Sequence, residues 1–107
     1  MSDIICISPI DGKELVRRPV ASDQEIDGAI ATARSAQKQW RRLSVEERTA
    51  YVLKFLDIIL ATNQEVVPEL AQQMGRPVRY GGEFRGFEER VRYMARIATD
   101  SLAPTVR

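Results

Sequence analysis

The sequence has 107 residues, 44% hydrophobic and 29% charged, the balance of one small globular unit rather than a disordered tail. Its 16 basic and 15 acidic side chains are interspersed and leave a net charge of +1, so no nucleic-acid partner is expected. With no histidine and a single cysteine, Cys6, the chain is excluded from Ser-His-Asp and Cys-His catalysis, zinc ligation and an internal disulfide.

Met1-Ser2-Asp3 carries neither the basic start nor the apolar core of a secretory signal. No apolar run reaches the length of about 18 residues that a bilayer span needs, so no membrane partner is expected. The lone cysteine suits a reducing compartment, and a cytoplasmic protein is expected.

The first twenty residues read as a β-hairpin. Ile4 to Ile7 form a short apolar run, and Asp11-Gly12 is a hairpin-turn dipeptide, predicted to adopt a type I′ turn with positive φ at both residues. Residues 13–16 form the return strand, and Pro19, which cannot donate to a ladder, marks an edge. A lone hairpin is marginal in water and must lean on another element.

Ser22-Asp23-Gln24-Glu25 is a capping box, and a first helix follows over residues 23–40. Its apolar stripe is Ile26, Ala29, Ile30, Ala33, Ala36 and Trp40, rich enough in alanine for a neighbour to approach closely. A second capping box, Ser44-Val45-Glu46-Glu47, opens a helix running to Ala61. Val52, Leu53, Phe55, Leu56, Ile58, Ile59 and Leu60 make it apolar over most of its circumference. Such a helix is expected to be buried by more than one neighbour.

Asn63 reads as the N-cap of a third helix that ends at Met74-Gly75, where glycine suits a left-handed position. Pro68 inside it predicts a kink or a restart. Residues 76–82 form a loop. A fourth helix covers residues 83–102, with Phe84, Phe87, Val91, Met94, Ala95 and Ala98 on one side. Glu88 and Arg92 on it form an i,i+4 pair worth a few tenths of a kcal/mol at most.

Candidate chemistry is sparse. Gly81-Gly82-Glu83-Phe84-Arg85-Gly86 lacks the preceding strand and the Lys-Ser/Thr of a phosphate loop, and reads as a loop-to-helix junction. Glu46-Glu47 and Glu88-Glu89 are adjacent helical residues pointing about 100° apart, so neither pair shares a proton. Cys6 has no imidazole to activate it and reads as a packed side chain. Trp40, Phe84 and Phe87 read as core. Arg85, Arg90, Arg92 and Arg96, interleaved with glutamates, read as a solvated face. No catalytic, cofactor-binding or metal-ligating residue is expected.

Several short words in this sequence, taken in order, resemble the N-terminal region of the aldehyde dehydrogenase superfamily. Ser8-Pro9-Ile10-Asp11-Gly12-Lys13-Glu14 is similar to its N-P-x-T/D-G-x hairpin, and Trp40-Arg41-Arg42-Leu43-Ser44-Val45-Glu46-Glu47-Arg48 to its W-x-x-x-S/P-x-x-x-R. Met74-Gly75-Arg76-Pro77 is similar to E-x-G-K/R-P, and Arg92-Tyr93-Met94-Ala95 to R-Y-Y-A. Gln73 departs from the glutamate common near that glycine.

The resemblance implies a parent enzyme that oxidises aldehydes to carboxylic acids with NAD or NADP through a cysteine nucleophile. That nucleophile, the glutamate base, the oxyanion-hole asparagine and the cofactor fold all lie beyond the part matched, and Cys6 does not align with the nucleophile. By the same alignment Gly86 and Phe87 stand nearest the substrate entrance.

The expected fold is therefore mostly α with an N-terminal β-hairpin, the N-terminal portion of an α/β aldehyde dehydrogenase-like architecture. Residues 1–107 form one segment: hairpin 1–21, helical region 22–102 and tail 103–107. The leading expectation is a truncated aldehyde dehydrogenase-like oxidoreductase, inactive alone and binding no cofactor itself. Its partners are then the missing cofactor and catalytic domains, or a further copy of itself, with the aldehyde bound only in the full-length enzyme. A free-standing helical protein-interaction module is the alternative.

Overall fold

Two strands and four helices follow one another along the chain in the computed structural model, which describes residues 2–106. Strands β1 (Asp3–Ile7) and β2 (Glu14–Pro19) pair antiparallel. Helices α1 (Asp23–Trp40), α2 (Val45–Ala61), α3 (Asn63–Met74) and α4 (Phe84–Ser101) follow, with a 3-10 turn at Val78–Tyr80. The mostly helical class with an N-terminal hairpin is as the sequence predicts.

The hairpin turn differs from the expected type I′. Gly12 alone has a positive φ, 70°, and Asp11 does not. The connection is a longer loop over residues 9–12, closed where the Ser8 N–H donates to the Lys13 carbonyl at 2.9 Å. The Gly12 N–H donates to the Ser8 carbonyl, also at 2.9 Å, and the Asp11 carboxylate accepts the Lys13 N–H at 3.0 Å. Ser8 is buried and its hydroxyl accepts the Ile10 N–H, so the loop is organised from inside and needs one left-handed residue.

Both capping boxes form. Ser22 and Glu25 exchange bonds at the start of α1, and Ser44 and Glu47 do so at the start of α2, where the Ser44 N–H donates to Glu47 at 2.7 Å. Replacing Ser44 with alanine leaves a first-turn N–H without its acceptor and is expected to cost about 1 kcal/mol. Chemical denaturation reads this out. An unchanged midpoint would mean that the box contributes nothing.

The start of α3 corrects an expectation. Asn63 is the first helical residue, and Thr62 precedes it with no side-chain cap bond. The Thr62 hydroxyl donates to the Ile59 carbonyl at 2.7 Å, and the residue has helical backbone angles, φ −83° and ψ 0°, rather than the extended ones of a capping residue, so it continues the end of α2. α3 also runs unbroken through Pro68. The carbonyl that loses its partner to the proline ring belongs to the exposed Gln64, where water can replace it.

Packing centres on α2 against α4. Leu56 is completely buried, the one buried hydrophobic side chain among the described residues. Leu53, Ile59 and Leu60 of α2 and Val91, Ala95 and Ala98 of α4 are half-buried. The wide burial expected for α2 is met on one side only: Tyr51, Phe55 and Ile58 stay exposed. α1 buries nothing along its 18 residues, and Ile26 and Ile30 on its stripe are 47% and 49% exposed.

Dimensions say the same. The radius of gyration is 19.0 Å, against about 13 Å for a compact domain of this length. The accessible surface is 9090 Å², where a folded protein of 12.1 kDa exposes about 6,000 Å². Among the described residues no helix is long and apolar enough to cross a membrane.

Candidate functional site

α4 is held in place by local chemistry at both ends. Gly75 closes α3 at φ 69°, its N–H donating to the Ala71 carbonyl at 2.9 Å. The chain then turns through residues 76–83 around Arg76. That guanidinium pairs with the Glu83 carboxylate, donates from Nε to the Gly81 carbonyl at 3.3 Å and lies 5.9 Å from the Tyr80 ring centre. Arg76 thus stitches the end of α3 to the start of α4. At the far end of α4 the Thr99 hydroxyl donates to Glu46 Oε1 at 3.2 Å, tying it to the first turn of α2.

Glu46 is held below the ordinary glutamate range by its own backbone N–H, then by the Thr99 hydroxyl and by Ser44. A carboxyl that ionises more readily folded than unfolded stabilises fully above its unfolded value. That contribution is lost as pH falls through the lowered folded value. Acid titration followed by circular dichroism is therefore expected to weaken the α2–α4 contact below the carboxylate range, and Thr99→Val to remove part of the dependence. A midpoint that ignores pH across this range contradicts the tie.

Between α2 and α4 runs an open apolar groove of about 340 Å³, walled by Val52, Val91, Met94, Ala95 and Leu102 and closed at one end by Trp40. A second hollow, about 750 Å³, lies where α1 meets α2, under Trp40 and Tyr51, whose rings sit 5.6 Å apart. Trp40, read from its spacing as core, is 39% exposed. It ends a helix none of whose residues is buried. Neither hollow holds a nucleophile, a base or an oxyanion donor set.

The structure separates the residues weighed as acid/base pairs. Glu47 caps α2 while Glu46 reaches Thr99, and Glu88 pairs with Arg92 at 2.9 Å while Glu89 pairs with Arg85 at 3.4 Å. Arg96 lies over the Tyr93 ring, 5.4 Å from its centre. These pairings make Arg85, Arg92 and Arg96 a solvated, internally matched face, while Arg90 lines the groove between α2 and α4. Cys6 is half-buried in β1 opposite Val16. No group of three or more His, Cys, Asp or Glu side chains is placed to hold a metal among the described residues.

Gly86 and Phe87 lie in the first turn of α4, Gly86 with open space where a Cβ would stand and Phe87 39% exposed. Neither lines the two hollows. The Gly81-Gly82 segment follows a 3-10 turn, as a loop-to-helix junction, and a Cβ at Gly82 would collide with Asn63 Oδ1. Sequence reasoning missed the Arg76 clasp and the Thr99–Glu46 tie. The Gly75-Arg76-Pro77 word was the available signal for the first. Nothing local signalled the second, which joins residues 53 positions apart.

The sequence model of the aldehyde dehydrogenase family matches residues 2–106. The chain is similar to the NADP-dependent glyceraldehyde-3-phosphate dehydrogenase of Streptococcus equinus, 34% identical over 74 residues, which is 69% of this chain and 16% of that enzyme. It is 32% identical over 76 residues to betaine aldehyde dehydrogenase 2 of Rhizobium meliloti, covering 71% of this chain and 16% of that protein. Against the long-chain-aldehyde dehydrogenase of an Acinetobacter species it is 34% identical over 73 residues, covering 68% of this chain and 14% of that one. The chain therefore spans about a sixth of the length of the curated relatives it matches.

Proposed function

Because the chain belongs to the aldehyde dehydrogenase family, we propose that residues 1–107 are a supporting N-terminal layer of an NAD(P)-dependent aldehyde dehydrogenase. The nucleophile, the base and the cofactor fold come from residues outside this stretch, as does the grip on NAD or NADP. The reaction of the whole is oxidation of an aldehyde to a carboxylic acid in the cytoplasm. One observation carries the reading: α1, a full 18-residue amphipathic helix, buries no residue, so its stripe is built to be covered by something else. The three relatives above are named for unlike aldehydes at nearly equal identity, so the likeness carries reaction class and not substrate. A free-standing helical interaction module shares the exposed faces but gives no reason for a family match along residues 2–106.

Purified residues 1–107 are expected to produce no NADH or NADPH with glyceraldehyde 3-phosphate, betaine aldehyde or a long-chain aldehyde. Turnover above the no-enzyme blank overturns the proposal. In a chimera that carries residues 1–107 in place of the matching part of a related enzyme, activity is expected. There Gly86 and Phe87 stand at the substrate entrance, and Phe87→Ala shifts kcat/KM between a long-chain and a short aldehyde by about tenfold. An unchanged ratio removes Phe87 from that role.

A further inference from the structure

α4 begins without the device that opens α1 and α2. Its N-cap residue, Glu83, has φ −83° and ψ 7° instead of the extended angles of Ser22 and Ser44, and it makes no side-chain cap bond. The Glu83 carboxylate turns back to the Arg76 guanidinium instead. The first turn itself, Phe84-Arg85-Gly86-Phe87, contains glycine, the weakest helix former after proline. Arg85 is 93% exposed, and nothing packs where a Cβ of Gly86 would stand. Such a turn frays unless its entry is fixed from outside.

Arg76 supplies that fixture. Besides its pair with Glu83, it donates from Nε to the Gly81 carbonyl at 3.3 Å and lies against the Tyr80 ring. Gly81 has φ 67° and ψ −161°, angles that suit glycine alone, and Gly82 follows it directly. Two glycines in succession leave the backbone free to leave the turn in several directions. One guanidinium, its side chain only 30% exposed, joins the end of α3 to both the turn and the N-cap of α4. The far half of α4 has anchors of its own, the Thr99 bond to Glu46 and the half-buried Val91, Ala95 and Ala98. Loss of the clasp therefore frees the first turn and not the whole helix.

We propose that Arg76 is a positioning residue for aldehyde selection. By holding Glu83 and the Gly81 carbonyl together it keeps the first turn of α4 helical. Phe87 then keeps its place at the substrate entrance, the position given to it by the reading above, on which this inference rests. Arg76 touches no substrate; it acts through the direction in which α4 leaves the turn.

Amide exchange in the full chain tests the clasp. The N–H groups of residues 88–91 donate to the carbonyls of 84–87 within α4. Arg76→Ala is expected to quicken their exchange about tenfold while residues 95–101 keep their protection. Arg76→Lys keeps the charge but not the fork that reaches both oxygens, and is expected to fall between. Unchanged exchange at residues 88–91 in Arg76→Ala overturns the inference.

Selection is read in the chimera described above, as the ratio of kcat/KM for a long-chain and a short aldehyde. Arg76→Ala is expected to move that ratio about threefold in the direction of Phe87→Ala, with kcat on the short aldehyde held within about twofold. Arg76→Lys is expected to restore most of the ratio. Added to Phe87→Ala, Arg76→Ala is expected to change the ratio no further, since it works through that ring. A further shift on that background, or an equal fall for both aldehydes, refutes the positioning role. A ratio that responds to Phe87→Ala and not to Arg76→Ala sinks this inference alone. One that ignores Phe87→Ala removes the entrance reading, and the part of Arg76 in selection goes with it.

Discussion

Replacing Leu56 with alanine is expected to take about 2–5 kcal/mol from the contact between α2 and α4. Leu56 is completely buried on α2, the helix that packs against α4. A typical core spreads such a loss over many neighbours. Here Leu56 is the one buried hydrophobic side chain among the described residues, and the total stability of a chain this long is about 5–15 kcal/mol even when its core is complete. The substitution is therefore expected to release α4. Amide exchange over residues 84–101 reads this directly, with protection falling toward that of an isolated helix while the capping box of α1 is unaffected. Retained protection would mean that α4 is anchored elsewhere, with the Thr99–Glu46 and Arg76–Glu83 ties as the remaining attachments.

Gly75→Val is expected to have the second largest effect, about 2–3 kcal/mol, because two costs fall on one position. The residue has φ 69°, where a side chain costs about 1–2 kcal/mol and a β-branched one the most. A Cβ there would also lie 3.3 Å from Pro9 Cγ, tighter than an ordinary contact, at the place where the hairpin loop meets the end of α3. The strain is expected to unseat the hairpin as well as fray α3. Proteolysis in the loop of residues 9–12 should quicken, whereas Gly12→Ala, strained in φ but with open space around its Cβ, should disturb the loop and leave α3 alone. Equal effects of the two variants on α3 would show that Pro9 contributes no contact of consequence.

The candidate site was legible in an uneven way. The absence of histidine already ruled out Ser-His-Asp and Cys-His arrangements, and the adjacency of the glutamates ruled out a shared proton within either pair, because those are statements about residue type and helical geometry. Glu46 and Glu47 duly part company, one reaching α4 and the other capping α2. The aromatic residues were misread. Trp40 lies at the spacing of a core residue and is nevertheless open, since periodicity says that a face wants covering and is silent about whether the cover is present.

Local signals, complete within a few residues, determined the elements: both capping boxes, the glycine that ends α3 and the helical stripes need only the neighbouring backbone to act. The hairpin turn and the start of α3 went astray for the same reason, because Ser8 and Thr62 had more than one group within reach and the surroundings chose. What the tertiary structure alone decided is which stripe is covered. α1 and α4 carry apolar faces of similar spacing, yet α4 packs along α2, while α1 touches α2 at its end through Trp40 and buries none of its residues. That difference comes from contacts between residues far apart in the chain, and a helix's own sequence fixes the shape of its apolar face but not the surface that meets it.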